Sequence, residues 1–310
     1  MKAKILITPR ALSRDGHPAL QLLQQAGYEL LFGTPGKTPS EDELIALVPS
    51  CIGWLAGVEP VSERVINAAP ALRAISRNGT GVDNLPLELL AAKKITVCRA
   101  EGVNARGVAE LAITLLMVAM RHIIPTHAGI KNGAWPRLLG REIESRTVAV
   151  LGYGFIGREV SKMACGLGAK VRAHDPFVTL PMRPIGDFSW YCDRHTLLDG
   201  ADVLSLHAPG NADGSALLGA AELARLATGA IVINTARASL IDETALLNAL
   251  NSGQIGTYAT DVFTTEPPVL SELLAHPRVI TTSHIGGYTE ESVNRATRVA
   301  VENLLRALAA

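Results

Sequence analysis

Residues 147–175, TVAVLGYGFIGREVSKMACGLGAKVRAHD, leave this chain few ways to fold. The stretch opens on Val148, Ala149, Val150 and Leu151, an unbroken apolar run that reads as a strand buried on both faces. Three glycines follow in the order Gly152-x-Gly154-x-x-Gly157, then a helix-compatible segment over 158–168. A second strand over 170–173 delivers Asp175. Strand, tight turn, helix and strand make one βαβ unit. Gly152 permits the turn, Gly154 lets the backbone approach a pyrophosphate, and Gly157 lets the helix pack close on its strand. The helix N-terminus then offers unpaired N–H groups and a partial positive charge to the phosphates. Asp175 lies 18 residues after Gly157, close to the roughly 20 expected of a carboxylate that binds an adenosine ribose. Such a carboxylate pairs with a free 2′-hydroxyl and repels a 2′-phosphate, and Pro176 and Phe177 follow it rather than an arginine. The cofactor expected is NAD.

At 310 residues the chain exceeds what one core usually supports, so two domains are expected. Apolar residues make up 48% and charged ones 19%, enough for large cores and too apolar for disorder. A formal net charge of zero argues against nucleic acid or an anionic membrane as partner. Cys51, Cys98, Cys165 and Cys192 show no CxxC pairing and no metal spacing, so no metal site is expected. They read as small hydrophobes in a reducing compartment, the cytoplasm. The longest apolar stretch, 111–120, is about half of the roughly 20 residues that span a bilayer.

Residues 1–100 alternate strands (4–8, 28–32, 53–56, 74–77, 96–98) with helices (18–26, 41–48, 62–68, 87–92). That alternation implies a parallel sheet with helices on both faces. Beyond the long apolar helix at 105–121 and a shorter one at 125–133, the nucleotide unit begins. Further strands at 203–206, 231–234, 256–260 and 279–282 alternate with helices at 220–226, 243–251 and 271–274. Residues 176–186 read as irregular. The fold class is α/β, with two doubly wound parallel sheets. The first domain spans 1–100 and is completed by an amphipathic helix within 288–310; the second, nucleotide-binding domain spans 101–287. Apolar Val293, Ala296, Val299, Leu304 and Leu308 mark the helix face expected to pack.

Three strands in the second domain run into polar residues of a suggestive kind. The strand at 231–234 leads to Thr235, Ala236 and Arg237; that at 256–260 leads to Asp261 and Glu266; that at 279–282 leads to His284 and Gly286. All lie at the carboxyl ends of parallel strands, where α/β sheets bind ligands. Arginine clamps a carboxylate and polarises a carbonyl. Histidine exchanges a hydroxyl proton near neutral pH, and a neighbouring glutamate orients it. These types suit hydride transfer to or from a 2-hydroxy acid. In the first domain Asn78-Gly79-Thr80-Gly81-Val82-Asp83-Asn84 follows the strand at 74–77, leaving backbone N–H groups near Thr80 open to a carboxylate; alone, the segment reads equally well as a glycine turn.

At LGYGFIG, NTARASLIDETALLNAL, ATDVFTTEPP and TSHIGGYT the sequence resembles the D-isomer-specific 2-hydroxyacid dehydrogenase family, over nearly the whole chain. The resemblance implies a flavodoxin-like substrate domain, a Rossmann NAD-binding domain and an active site in the cleft. On that pattern Arg237 binds the substrate carboxylate and carbonyl, Glu266 supports the histidine, and His284 is the acid–base. The cofactor would meet Gly152, Tyr153, Gly154, Phe155, Ile156, Gly157, Asp175, His207, Ala208, Pro209, Thr235, Ala236, Arg237, Asp261, His284 and Gly286, with Asp261 on the nicotinamide carboxamide. The substrate side would comprise Ala56, Gly57, Arg77, Asn78, Gly79, Thr80, Gly81 and Asn104. A homodimer through the apolar helix at 105–120 and the segment 135–139 is also implied. Two departures stand out: Ala238 where the family usually has glycine, and His174 where an aromatic is commoner.

Within the family the wording INAAPALRAISRNGTGVDN and HIGGYTEES is most like short phosphoglycerate dehydrogenases. That subfamily carries an arginine in the loop after the third strand. Here Leu55-Ala56-Gly57-Val58-Glu59-Pro60 supplies one acid and no cation, leaving Arg77 to face a phosphate. D-3-phosphoglycerate is the expected substrate by a narrow margin over glyoxylate, hydroxypyruvate or another unphosphorylated acid. The rival of another class is an NAD(H)-sensing interaction protein, which would bind NADH yet reduce no 2-oxo acid; the complete Arg237, Glu266 and His284 set argues for turnover.

Overall fold

The computed structural model describes residues 2–179, 186–211 and 213–310. Part of the segment expected to be irregular, 180–185, lies outside the described residues. The chain forms two compact units, one of Met1–Asn104 with Glu290–Ala310, the other of Ala105–Thr289.

The first unit is a parallel sheet of β1 (Lys4–Ile7), β2 (Glu29–Phe32), β3 (Cys51–Ala56), β4 (Ala74–Arg77) and β5 (Thr96–Arg99) in the order β2-β1-β3-β4-β5. That is the flavodoxin-like order. Alternate residues along each strand serve opposite faces. Leu6, Trp54, Ala56 and Ile75 meet the helices Glu41–Leu47, Glu63–Asn67 and Leu87–Ala92 through Leu44, Val65 and Leu90. Ile5, Ile7, Leu55 and Ala74 meet Leu23 and the terminal helix Glu290–Ala309 through Ala300, Val301, Leu304 and Leu308. The buried face of that helix is rotated from the expected stripe. Val293 and Val299 are only half-buried, whereas Ser292, Thr297 and Ala300 are buried.

Among its described residues the second unit holds seven parallel strands: β6 (Thr147–Leu151), β7 (Lys170–His174), β8 (Phe188–Trp190), β9 (Val203–Leu206), β10 (Ala230–Asn234), β11 (Ile255–Thr260) and β12 (Val279–Thr281). Their order, β12-β11-β10-β9-β6-β7-β8, is the Rossmann arrangement with one strand added beyond the sixth. Val148 and Val150 face a core with Leu115, Leu116 and Val160 from the helices Ala105–Met120 and Phe155–Gly166. Ala149 and Leu151 face the other core, with Leu197, Leu246 and Leu250. Two-faced burial explains the unbroken apolar run. Among the described α-helices and strands three were not expected from sequence: the helix Arg10–Asp15, the strand β8 and the helix Arg194–Leu198. Phe188 and Trp190 of β8 each place a ring centroid 5.5 Å from that of Tyr153, sealing the strand β7 side of the glycine turn.

The helix Ile123–Lys131 begins two residues before the proline expected to open it. Pro125 still falls in its first turn, where a missing N–H costs nothing. None of its residues is buried. Among the described residues no single helix is long and apolar enough to cross a membrane.

Candidate active site

The turn after β6 has the shape a dinucleotide needs. Gly152 sits at φ +94°, and a Cβ there would strike the His207 carbonyl at 2.6 Å. A Cβ on Gly157 would lie 2.0 Å from the Gly152 carbonyl oxygen, so only glycine lets the helix approach so closely. Gly154 faces open space and caps the helix Phe155–Gly166 without a side-chain acceptor, leaving first-turn N–H groups for a phosphate. Asp175 is oriented by two backbone donors, Tyr153 N on Oδ2 at 2.8 Å and Phe177 N on Oδ1 at 2.9 Å. Each oxygen keeps a lone pair for a ribose hydroxyl. Asp175, Phe177, Ala208 and Pro209 line one cleft of about 530 Å³ beside Gly152. Two polar atoms nearby in the chain sequence of these turns, Thr235 Oγ1 and His207 Nδ1, are buried without a hydrogen-bond partner. Burial pushes the His207 imidazole down to about 3, so it stays neutral, with Nε2 on Ser205 Oγ at 2.8 Å. The residues present fit a dinucleotide with a free ribose 2′-hydroxyl.

Arg237, Glu266 and His284 follow β10, β11 and β12, three adjacent strands of the sheet. Glu266 and His284 meet directly: Nδ1 lies 2.8 Å from both Oε1 and Oε2. His284 is at φ +54°, a conformation that costs a non-glycine residue about 1–3 kcal/mol and persists only where its surroundings enforce it. Glu266 also accepts from Phe263 N at 3.3 Å. Arg237 donates from Nη1 to the Ala236 carbonyl at 2.8 Å.

Asn234 and Asp261 hold these loops in ways that sequence reading missed or assigned otherwise. Asn234, fully buried, accepts from Ala236 N at 3.1 Å and donates to the Arg237 carbonyl at 2.9 Å, fixing the arginine turn on both sides. Asp261 accepts from Thr282 Oγ1 and from the N–H groups of Ile285 and Gly286. An asparagine or aspartate at a strand end is the only sequence signal, and it does not say which donors the fold will bring.

In the first unit the N–H groups of Thr80 and Gly81 carry no hydrogen bond among the described residues, while the Thr80 hydroxyl donates to the Ala100 carbonyl at 3.1 Å and to Asn104 Oδ1 at 3.3 Å. Asn78 N donates to the Ala56 carbonyl at 2.8 Å. Arg77 is 8% exposed; Nη1 donates to the Asn78 carbonyl at 3.1 Å and Nε is buried without a partner. Glu59 does not face outward, contrary to the reading of its loop as one that would repel a phosphate. It is 1% exposed, takes the Thr8 hydroxyl and accepts from Gly57 N at 2.9 Å. Burial raises its carboxyl above the ordinary range, and burial lowers the Arg77 guanidinium, which the charges of Glu59 and Asp83 partly offset.

Comparison with known proteins adds a family. The sequence pattern of the D-isomer specific 2-hydroxyacid dehydrogenase NAD-binding domain matches residues 113–286. The hydroxypyruvate reductase of Thermotoga maritima is 33% identical over 274 residues, 86% of this chain and 88% of that one. The D-3-phosphoglycerate dehydrogenase of Mycobacterium bovis is 35% identical over 274 residues, 87% of this chain but 52% of that one. The chain thus spans about half the length of the mycobacterial and mammalian D-3-phosphoglycerate dehydrogenases it matches. Among solved structures, an NAD+-bound 3-phosphoglycerate dehydrogenase of Entamoeba histolytica superposes with TM-score 0.83 at 25% identity, covering 100% of this chain and 96% of that one.

Proposed function

We propose that Arg237, Glu266 and His284 carry the chemistry of this chain, which belongs to the D-isomer-specific 2-hydroxyacid dehydrogenases, NAD-dependent oxidoreductases of 2-hydroxy acids. The observation that carries this reading is the pair of 2.8 Å contacts between His284 Nδ1 and Glu266. A carboxylate on Nδ1 fixes the tautomer with its proton there and leaves Nε2 as the exchanging nitrogen. In the oxidative direction Nε2 takes the hydroxyl proton of the 2-hydroxy acid; in the reductive direction the imidazolium returns it to the oxygen of the 2-oxo acid. NAD, when bound, would supply the hydride chemistry at C2. Arg237 binds the carboxylate and the C2 oxygen, drawing charge toward itself as the alkoxide forms. Gly152 to Gly157, Asp175, Ala208, Pro209, Thr235 and Ala236 are the residues that would hold the dinucleotide. The unengaged N–H groups of Thr80 and Gly81 suit the substrate carboxylate.

For the substrate we favour D-3-phosphoglycerate and its 2-oxo product. The inward turn of Glu59 removes the repulsion its loop threatened, leaving Arg77 as the cation at the end of β4. A second reading, hydroxypyruvate or glyoxylate, is favoured by the 8% exposure of Arg77. NADH oxidation against phosphohydroxypyruvate, hydroxypyruvate and glyoxylate separates them, with Arg77→Ala alongside. Preference for phosphohydroxypyruvate that collapses in the variant supports the first; hydroxypyruvate or glyoxylate preferred, with Arg77→Ala indifferent, supports the second. Binding of NADH with no reduction of any of the three would return the sensor reading. All four cysteines are unpaired, which supports a reducing cytoplasmic setting. A homodimer is supported by the apolar side chains exposed on and after the helix Ile123–Lys131, among them Ile124, Trp135 and Leu139; the helix Ala105–Met120, expected to share that face, instead buries Ala112, Leu115, Leu116 and Ala119 in the core of its own unit.

A further inference from the structure

The β11–β12 ladder ends where Thr282 N donates to the Thr260 carbonyl at 3.0 Å. Beyond that point the chain turns, and His284 takes its left-handed φ of +54°. A non-glycine residue keeps such a backbone only where its surroundings over-determine it. Asp261, 1% exposed, supplies the restraint. Its Oδ1 accepts from Thr282 Oγ1 at 2.6 Å and Ile285 N at 2.8 Å, and its Oδ2 accepts from Gly286 N at 2.7 Å. The three contacts bracket His284, one before it and two directly after. The approach is close enough that a Cβ on Gly286 would sit 3.1 Å from Oδ2.

We propose that Asp261 is the positioning residue for proton transfer: it clamps the 282–286 turn so that the His284 imidazole keeps Nδ1 on Glu266 and presents Nε2. This rests on the reading of His284 as the acid–base. It assigns Asp261 a task distinct from holding the nicotinamide amide. In Asp261→Asn the amide oxygen still serves Thr282 and Ile285, but the NH₂ group faces the Gly286 N–H and that side of the clamp opens.

The test compares Asp261→Asn and Thr282→Val with wild type, with Glu266→Gln and His284→Ala as references. Asp261→Asn should lower kcat about ten- to hundredfold while its dissociation constant for NADH, read by protein fluorescence, stays within about twofold. The low-field imidazole N–H resonance, identified by its loss in Glu266→Gln, should shift or broaden in Asp261→Asn. Thr282→Val removes the shortest contact and keeps the charge, so it should show the same changes in smaller measure, and it decides the matter if Asp261→Asn does not fold. An unaltered kcat and resonance in these variants would overturn the proposal. So would weakened NADH binding with kcat and resonance preserved, which would place Asp261 on the cofactor. Wild-type turnover in His284→Ala would instead defeat the acid–base reading, with the resonance still judging the clamp.

Discussion

Glu59 shares its Oε1 between the Thr8 hydroxyl and the Gly57 N–H, out of contact with water, and burial raises its pKa. In the unfolded chain the same carboxyl returns to about 4.5, so the folded state binds the proton more tightly. The stability this group contributes is full below the unfolded value and is lost as the pH rises through the folded one. Glu59→Gln cannot ionise and still offers an oxygen to Gly57 N. Urea unfolding between pH 4.5 and 8 should therefore show the wild type losing stability relative to the variant as the pH rises. Parallel curves would contradict the buried, weakly acidic Glu59. The same side chain was misjudged from its loop, because a sequence does not show that Thr8, 51 residues away, turns it inward.

The terminal helix Glu290–Ala309 is the element on which the first sheet most visibly depends. Leu304, fully buried against Ile5, Ile7 and Leu55, has no route to water. Leu304→Ala should cost about 2–5 kcal/mol, seen as a lower urea midpoint in the transition of the first unit. A loss under about 1 kcal/mol would mean the helix packs loosely. This helix also marks the limit of what sequence shows at this scale. Its existence was clear from its apolar spacing, but the buried face includes Ser292, Thr297 and Ala300, which carry too little hydropathy to locate it. Strands other than β8 were legible to within a residue or two, most plainly β6 and β10, where burial on both faces writes an apolar run. β8 was not, since three residues hold no period, and Arg10–Asp15 was not, since Leu12 alone is buried in it. At the site, Arg237, Glu266 and His284 stood out by type and by place at strand ends. The clamps at Asn234 and Asp261 did not, because their partners are supplied by the fold.

At the scale of the whole molecule the helix Ile123–Lys131 buries none of its residues, and Trp135 and Leu139 just beyond it are 80% and 95% exposed. A second copy is the proposed cover. Gel filtration at micromolar concentration should give twice the chain mass, falling to the single mass in Ile124→Glu combined with Leu139→Glu; a wild-type monomer would contradict it. The dinucleotide turn and the Glu266–His284 pair both lie in the second unit. The proton transfer proposed for His284 can be tested directly. His284→Ala should retain the NADH affinity of wild type and lose turnover with the preferred 2-oxo acid by about 10²–10⁴-fold. Turnover within about threefold of wild type would contradict His284 as the proton-transfer group.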